Sequence, residues 1–457
     1  MNRGRWLTLG VVSVATAMLL LDVTVVYVAL PAIQKDLGAG FAELQWVVDA
    51  YTVTLAATLL AAGSLADRYG RRAVFVAGLA VFTGFSATCG LAGSPMVLDI
   101  SRGLQGIGAA AMFSASLAIL ANEFQDRERG FALGIWGAIT GIALAVGPLV
   151  GGLVVDGLSW RWIFLINLPL GLILVLVTIR SVKESRDDRP RRLDLAGMAS
   201  FGLACLFLVT ALIRGNDEGW GSPPIVTALA AAALLFGLFV GVEARTRDPM
   251  LPLGWFRVPA FTGTAIVALA QSVAIYPLLL FLAIYFQNAL GFSATGTGLR
   301  LLPITVVIFL VAPVAGRFTS RMPLRYLLSA GLLLLGVAML VMHGIRPGEW
   351  TELLPGMLLG GVAIGLISPS LAAAMVSVLP VEQSGRSSGI NNTFRQVGIA
   401  VGIAGLGALF DQRVTEAAGD AAGIAAGVNE VLLVAGIIAI AAALISWPLL
   451  GDQRSTA

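Results

Sequence analysis

From its sixth residue onward the chain is a succession of apolar windows, each closed by Gly, Pro or charge and each about twenty residues long, the length a helix needs to cross a hydrocarbon layer. They fall at 6–33, 45–65, 73–92, 97–121, 131–155, 162–182, 195–213, 225–242, 260–286, 296–315, 326–342, 353–379, 389–410 and 431–450, so fourteen spans are expected. With 58% of 457 residues hydrophobic and 12% charged, against about 25% charge in an ordinary soluble domain, no stretch is left for a soluble domain. The first window is far longer than a secretory h-region, holds Asp22 and has no A-x-A-like site after it, so it is expected to stay as a helix.

Several function classes fall by counting. The only lysines, Lys35 and Lys183, do not follow a Gly, so the G-K-[ST] of a phosphate-binding loop is absent. Cys89 and Cys205 sit in apolar stretches as small hydrophobes, and the lone His343 makes no His-rich metal centre. No metal site or cofactor is expected. GRSSG, 385–389, fits the G-x-S-x-G nucleophile elbow, but no strand precedes it, and Ser387 and His343 are placed on opposite membrane faces. The net charge of +3 reflects topology rather than nucleic-acid binding. With the N-terminus inside, 21 of the 29 basic residues fall in cytoplasmic segments and five outside, which predicts both termini cytoplasmic. The remaining three, Arg102, Arg300 and Arg395, lie inside spans.

An internal repeat organises the spans. GSLADRYGRR, from Gly63, is answered 253 residues later by GRFTSRMPLR, from Gly316, with Arg68 and Arg72 matching Arg321 and Arg325. RGFALGI is answered by SGRSSGI, with Gly130 and Gly134 matching Gly385 and Gly389. The expected fold is all-α and polytopic: a six-helix bundle over 1–183, linkers and two inserted helices over 184–258, and a second six-helix bundle over 259–457. Parallel repeats about an axis along the membrane normal are a plan of secondary transporters.

Four motifs carry chemistry. In GSLADRYGRR, the short residues Gly63 and Gly70 allow close approach, and Asp67 is placed either to cap the next helix or to pair with Arg127 or Arg129 of the DRERG loop as a conformational latch. In SRGLQGIGAA, Arg102 lies about 8 Å inside the span, where a guanidinium costs several kcal/mol unless paired or hydrated; Asp99 and Asp22 are the candidate partners. GIALAVGPLVGG, with Gly141, Gly147, Pro148, Gly151 and Gly152, should kink span five and leave a flat packing surface. Asp22 lies some 24 Å along the first helix from Trp6, deep in the bilayer, where burial and a nearby Arg102 pull a carboxyl's proton affinity in opposite directions. Asp49 is a second candidate proton site.

These stretches, with LDVTVVYVALPAI, QWVVDAY, WRWIFLINLPLG and NNTFRQVG, resemble the major facilitator superfamily and, within it, the fourteen-spanner drug/proton antiporters, in family order over nearly the whole chain. The resemblance implies proton coupling at Asp22 and Arg102, gating at Gly63, Asp67, Arg68 and Arg71, and antiport rather than uptake from Gly147, Pro148 and Gly151. The second-half loop departs, with Ser320 in the place of Asp67. One deep acid among several arginines is a poor match to dications and leaves neutral, monocationic and anionic amphiphiles open. The expected protein is a monomeric proton-coupled exporter of small amphiphilic compounds, drugs or antibiotics, in the cytoplasmic membrane of a prokaryote. It works by alternating access, with membrane lipid around it and no nucleic-acid partner. Tyr27, Tyr51, Trp136, Tyr276, Tyr285 and Arg395 are the candidate substrate-lining residues. The rival readings are proton-coupled transport of one metabolite and a non-transporting receptor or scaffold.

Overall fold

The structure, a computed structural model, describes residues 3–124, 126–187, 193–319, 321–348, 350–379, 384–417 and 419–451. Every α-helix among them is named here: α1 (Arg3–Leu37), α2 (Phe41–Tyr69), α3 (Arg71–Gly90), α4 (Pro95–Glu123), α5 (Asp126–Gly157), α6 (Trp162–Leu165), α7 (Asn167–Ser181), α8 (Leu195–Glu218), α9 (Pro223–Arg245), α10 (Pro259–Ile284), α11 (Ala294–Phe318), α12 (Leu324–Met342), α13 (Leu354–Ser377), α14 (Ser384–Glu416) and α15 (Ala421–Leu450). Thirteen helical stretches among the described residues are long and apolar enough to cross a membrane, with α6 and α7 counted together, and the bent α5 makes fourteen.

The α5 bend has a local cause. Its two segments, Gly134–Leu144 and Val146–Gly157, meet at 44°. Pro148 lacks the N–H that would bond to Leu144, and its ring crowds that carbonyl, so the helix turns where the first segment ends.

The chain forms two compact units, one of residues 1–205 with 234–250, the other of residues 206–233 with 251–457. Within the first, α2 packs on α4, α3 on α4, α1 on α5 and α3 on α7. The second pairs its helices in the same scheme: α11 with α13, α12 with α13, α10 with α14 and α12 with α15. Small residues set these contacts, since apolar lipid gives helices little hydrophobic reason to associate and close van der Waals packing must supply it. A Cβ on Gly108 of α4 would lie 2.5 Å from the Phe82 nitrogen and 2.8 Å from the Gly78 carbonyl oxygen of α3. In the second unit a Cβ on Gly361 of α13 would meet the Ile304 carbonyl at 2.8 Å, and one on Gly402 of α14 the Cα of Val273 at the same distance. α8 and α9 are each divided between the two units, and in α8 Gly202 faces Ala57 within the first while Asn216 Nδ2 donates to the Ala408 carbonyl at 2.6 Å within the second.

Because the obstacles at Gly108 are backbone atoms, Gly108→Val must separate α3 from α4. The variant should lose at least ~2 kcal/mol of stability, seen as earlier thermal unfolding in detergent. Gly84→Ala, where nothing lies within 4 Å, should unfold as the native protein does.

Candidate functional site

The first unit is organised around a carboxylate and a guanidinium that are almost fully removed from solvent: Asp22 of α1 is 2% exposed and Arg102 of α4 is 1%. They form a direct ion pair from Arg102 Nη1 to Asp22 Oδ2. The carboxylate is otherwise held by amides. Gln105 Nε2 donates to Asp22 Oδ1 at 3.1 Å and Asn167 Nδ2 donates to the same oxygen at 3.2 Å. The guanidinium is held just as fully. Arg102 Nε donates to the Val47 carbonyl at 2.9 Å, Nη1 also donates to Gln105 Oε1 at 2.8 Å, and its Cζ sits 4.3 Å from the Tyr51 ring centroid.

A further layer fixes Asn167, which donates to Ser86 Oγ at 3.0 Å while that hydroxyl donates to the Phe164 carbonyl at 2.9 Å. One network thus joins α1, α2, α3, α4, α6 and α7. The sequence offers two partners for Arg102, and the structure pairs it with Asp22 rather than Asp99. Gln105, Asn167 and Ser86 are not singled out by sequence reasoning. The available signal was position, because Gln105 lies one helical turn from Arg102 and Asn167 stands alone as an amide in LINLPLG.

Glycines hold α1 at this point. A Cβ on Gly147 would collide with Thr24 Oγ1, and one on Gly151 would come within 3.0 Å of the Val25 Cα and carbonyl oxygen. Both contacts lie two or three residues from Asp22, and Pro148, buried between the two glycines, puts the α5 bend beside them. Gly141 has open space around its Cα, so it is not part of this contact; Gly152 is buried.

Asp49 stands apart from that network. It is fully buried, its Oδ1 meets Thr52 Oγ1 at 3.5 Å, and its Oδ2 has no hydrogen-bond partner.

The turn between α2 and α3 is the second constellation. Gly70 adopts φ +115°, a conformation that strains any side chain, and a Cβ there would also lie 2.6 Å from the Glu184 carboxyl carbon. Asp67 does not cap α3; it pairs with Arg71, Nη2 to Oδ1 3.1 Å, across the turn. The cap is Glu184, from the segment after α7, which accepts from the Arg72 and Ala73 N–H groups at 3.0 and 3.1 Å. Main-chain bonds from Arg71 N to the Ser185 carbonyl and from Asp187 N to the Asp67 carbonyl, 2.9 and 3.0 Å, dock that segment on the turn. Gly63 lies against Ser114, and Arg68 is exposed beside the Tyr69 ring. The side chains of Arg127 and Arg129, and the whole of Ser320, lie outside the described residues.

Tyr27, Tyr51 and Tyr285 are buried, and Tyr285 donates its hydroxyl to the Arg346 carbonyl at 2.8 Å. Trp136, half-buried, donates Nε1 to Thr16 Oγ1 at 3.1 Å. Tyr276 and Arg395 come together in the second unit, with Arg395 Nη2 3.4 Å from the Tyr276 hydroxyl.

Two bundles with one helix-pairing scheme, all-helical spans and a buried charged network in the first bundle fit the plan of a polytopic membrane transporter built from two repeats. The family model of the Major Facilitator Superfamily matches residues 12–403 and, in a second overlapping match, 260–456, which starts at α10. The chain belongs to this superfamily: it is a multi-pass membrane transporter of small molecules, not an enzyme. It is 38% identical over 412 residues to the multidrug resistance protein Stp of Mycobacterium tuberculosis, covering 90% of this chain and 76% of the relative. It is 36% identical over 422 residues to the tetracenomycin C resistance and export protein of Streptomyces glaucescens, covering 90% and 77%. A solved bacterial homologue of the human lysosomal transporter Spinster shares the fold, with TM-score 0.71 at 17% identity over all of both chains.

Removing one partner of a buried pair strands the other charge, whereas removing both charges does not. Arg102→Met should therefore cost about 3–5 kcal/mol of stability, and Asp22→Asn added to it should restore most of that loss. A denaturant titration of the single and double variants measures both values; equal losses in the two would remove the pair from its structural role.

Proposed function

We propose that this protein exports small amphiphilic compounds, antibiotics and other drugs among them, in exchange for protons, across the cytoplasmic membrane of a prokaryote. It works as a monomer by alternating access, with both termini cytoplasmic as the 21 to 5 bias of basic residues indicates. The substrate class rests on the names of the resistance and export proteins it is similar to. The observation that carries the proton exchange is the Asp22–Arg102 pair, a titratable carboxyl sealed inside a span with a fixed cation as its partner.

Coupling follows from the electrostatics of that pair. Protonation of Asp22 removes the charge that holds Arg102, while Val47, Gln105 and Tyr51 continue to hold the guanidinium. What is lost is the attraction between α1 and α4, and α1 is the helix clamped by Gly147 and Gly151 beside the α5 bend. A proton binding at Asp22 is thereby a displacement of α1 and α5. Deprotonation restores the pair and the original packing. Asp67, Arg71 and Glu184 brace the turn between α2 and α3, the place where such a displacement would be checked or released. A proton moving inward down about 100 mV gains about 2.3 kcal/mol, and one pH unit adds about 1.4. Together these sustain a substrate gradient of several hundredfold per proton.

Asp22→Asn leaves Arg102 held by Val47, Gln105 and Tyr51, so it should fold at reduced stability and still exchange substrate down its gradient, yet lose export driven by an imposed pH gradient in proteoliposomes. Full gradient-driven export by that variant contradicts the assignment. Asp67→Ala should lower kcat several-fold with little change in KM, because it alters the turn and not a binding surface; an unchanged turnover removes the turn from the mechanism.

A further inference from the structure

The three arginines inside spans are treated differently by the structure. Arg102 has its carboxylate. Arg300, near the start of α11, donates Nη1 to the Gly296 carbonyl at 3.0 Å and is covered by aromatic rings, with Cζ 3.3 Å from the Phe292 centroid and 5.3 Å from that of Trp350. Arg395 has neither an acid nor a ring among the described residues. It lies about 16 Å along α14 from Ser384, half-buried, and its two side-chain hydrogen bonds run to Tyr276 Oη and Asn392 Oδ1, both at 3.4 Å. That is the outer limit of a hydrogen bond. Its buried Nε has no hydrogen-bond partner among the described residues.

Among the described residues no helix of the second unit brings a carboxylate to Arg395: α8 touches α14 through Asn216 at Ala408 and Asp411, and its acids, Asp217 and Glu218, follow at that same end, about 20 Å along α14 from Arg395. α10 and α13, which both pack on α14, contain no Asp or Glu. The first acid of α14 is Asp411, about 24 Å further along the helix. In α15 the only acid is Glu430, which is bound to Arg413 at 3.1 Å. The position of the guanidinium is nonetheless fixed. A Cβ on Gly398, one turn on, would lie 2.5 Å from the Leu269 carbonyl and 2.9 Å from Ser272 Cβ, so α14 and α10 meet backbone to backbone beside it. On the same face of α10 as Tyr276, Ser272 is 1% exposed and its hydroxyl has no hydrogen-bond partner.

We propose that Arg395, with the hydroxyl of Tyr276 beside it, is a binding site for the acidic group of the transported compound, so that the substrates are amphiphilic acids. A cation at that depth in a span requires a counter-ion or water, and a carboxylate placed there accepts charge-assisted bonds from the free Nε and the two weakly engaged Nη groups. This rests on the export reading above for the word substrate, but its test is one of binding, independent of protons and of transport.

The probes are rhodamine B, which carries a free carboxyl, and its ethyl ester, which does not, titrated by fluorescence polarisation against the purified full-length protein in detergent. The native protein should bind the acid roughly tenfold or more tightly than the ester. Arg395→Gln should abolish that preference while ester affinity stays within about twofold, and Arg395→Lys should keep part of it. Equal affinity for both dyes, a preference for the ester, binding of neither, or an Arg395→Gln variant that retains the preference overturns the proposal. Acid-selective binding without proton-driven export would instead leave the Arg395 site standing and contradict the export reading.

Discussion

A carboxylate and a guanidinium buried together between transmembrane helices are the constraint on which the rest of the first unit depends. Each ion alone would cost several kcal/mol to desolvate, so the fold must deliver both to one place and satisfy them on all sides. It does so with a backbone carbonyl of α2, an amide of α4, an amide of α7 and the ring of Tyr51. The network reaches a further layer at Ser86 and Phe164 because Asn167 must itself be oriented. Removing a partner leaves a stranded charge, and neutralising one by a proton releases an attraction between helices. The same feature is therefore structural when deprotonated and, in the proposed mechanism, a switch when protonated.

Glycines convert that local event into helix movement. Gly147 admits the Thr24 side chain and Gly151 the Val25 backbone of α1 next to Asp22, and Pro148 places the bend of α5 at the same level. The equivalent pair in the second unit, α10 and α14, also meets at glycines, Gly398 and Gly402, where a Cβ would lie 2.5 and 2.8 Å from α10 backbone atoms. What differs is the charge beside the contact: Asp22 with Arg102 in one, Arg395 without an acid in the other. The duplicated scaffold thus carries a complete ion pair in the first half and half of one in the second, which on the proposed reading divides proton handling from recognition of the substrate's acidic group.

Much of this was legible in the sequence. Span number follows from window length, the duplication from GSLADRYGRR and GRFTSRMPLR, and the α5 bend from the Gly147–Pro148 step, because each is a property of a contiguous segment. Asp22 and Arg102 stand out because charge is rare in such windows. Their choice of each other, and the exclusion of Asp99, depends on how α1 and α4 are rotated about their axes, which no single segment encodes. Glu184 was illegible for the same reason. It reads as one more charge in a linker, and its role as the α3 cap exists only because the segment after α7 returns to the turn between α2 and α3. Polar residues such as Gln105, Asn167 and Ser86 are neutral and common enough in membrane helices to pass unnoticed until their neighbours are known.

The coupling requires that Asp22 change protonation within a folded, working protein and take Arg102 with it. Infrared difference spectroscopy between mildly acidic and mildly alkaline buffers, on native protein and on Asp22→Asn in lipid, observes both groups at once. A carboxylic-acid carbonyl band that appears on acidification in the native protein alone, accompanied by a shift in guanidinium modes that is lost in Arg102→Met, is the predicted result. The contradicting result is a difference spectrum that Asp22→Asn leaves unchanged over the pH range in which transport is driven.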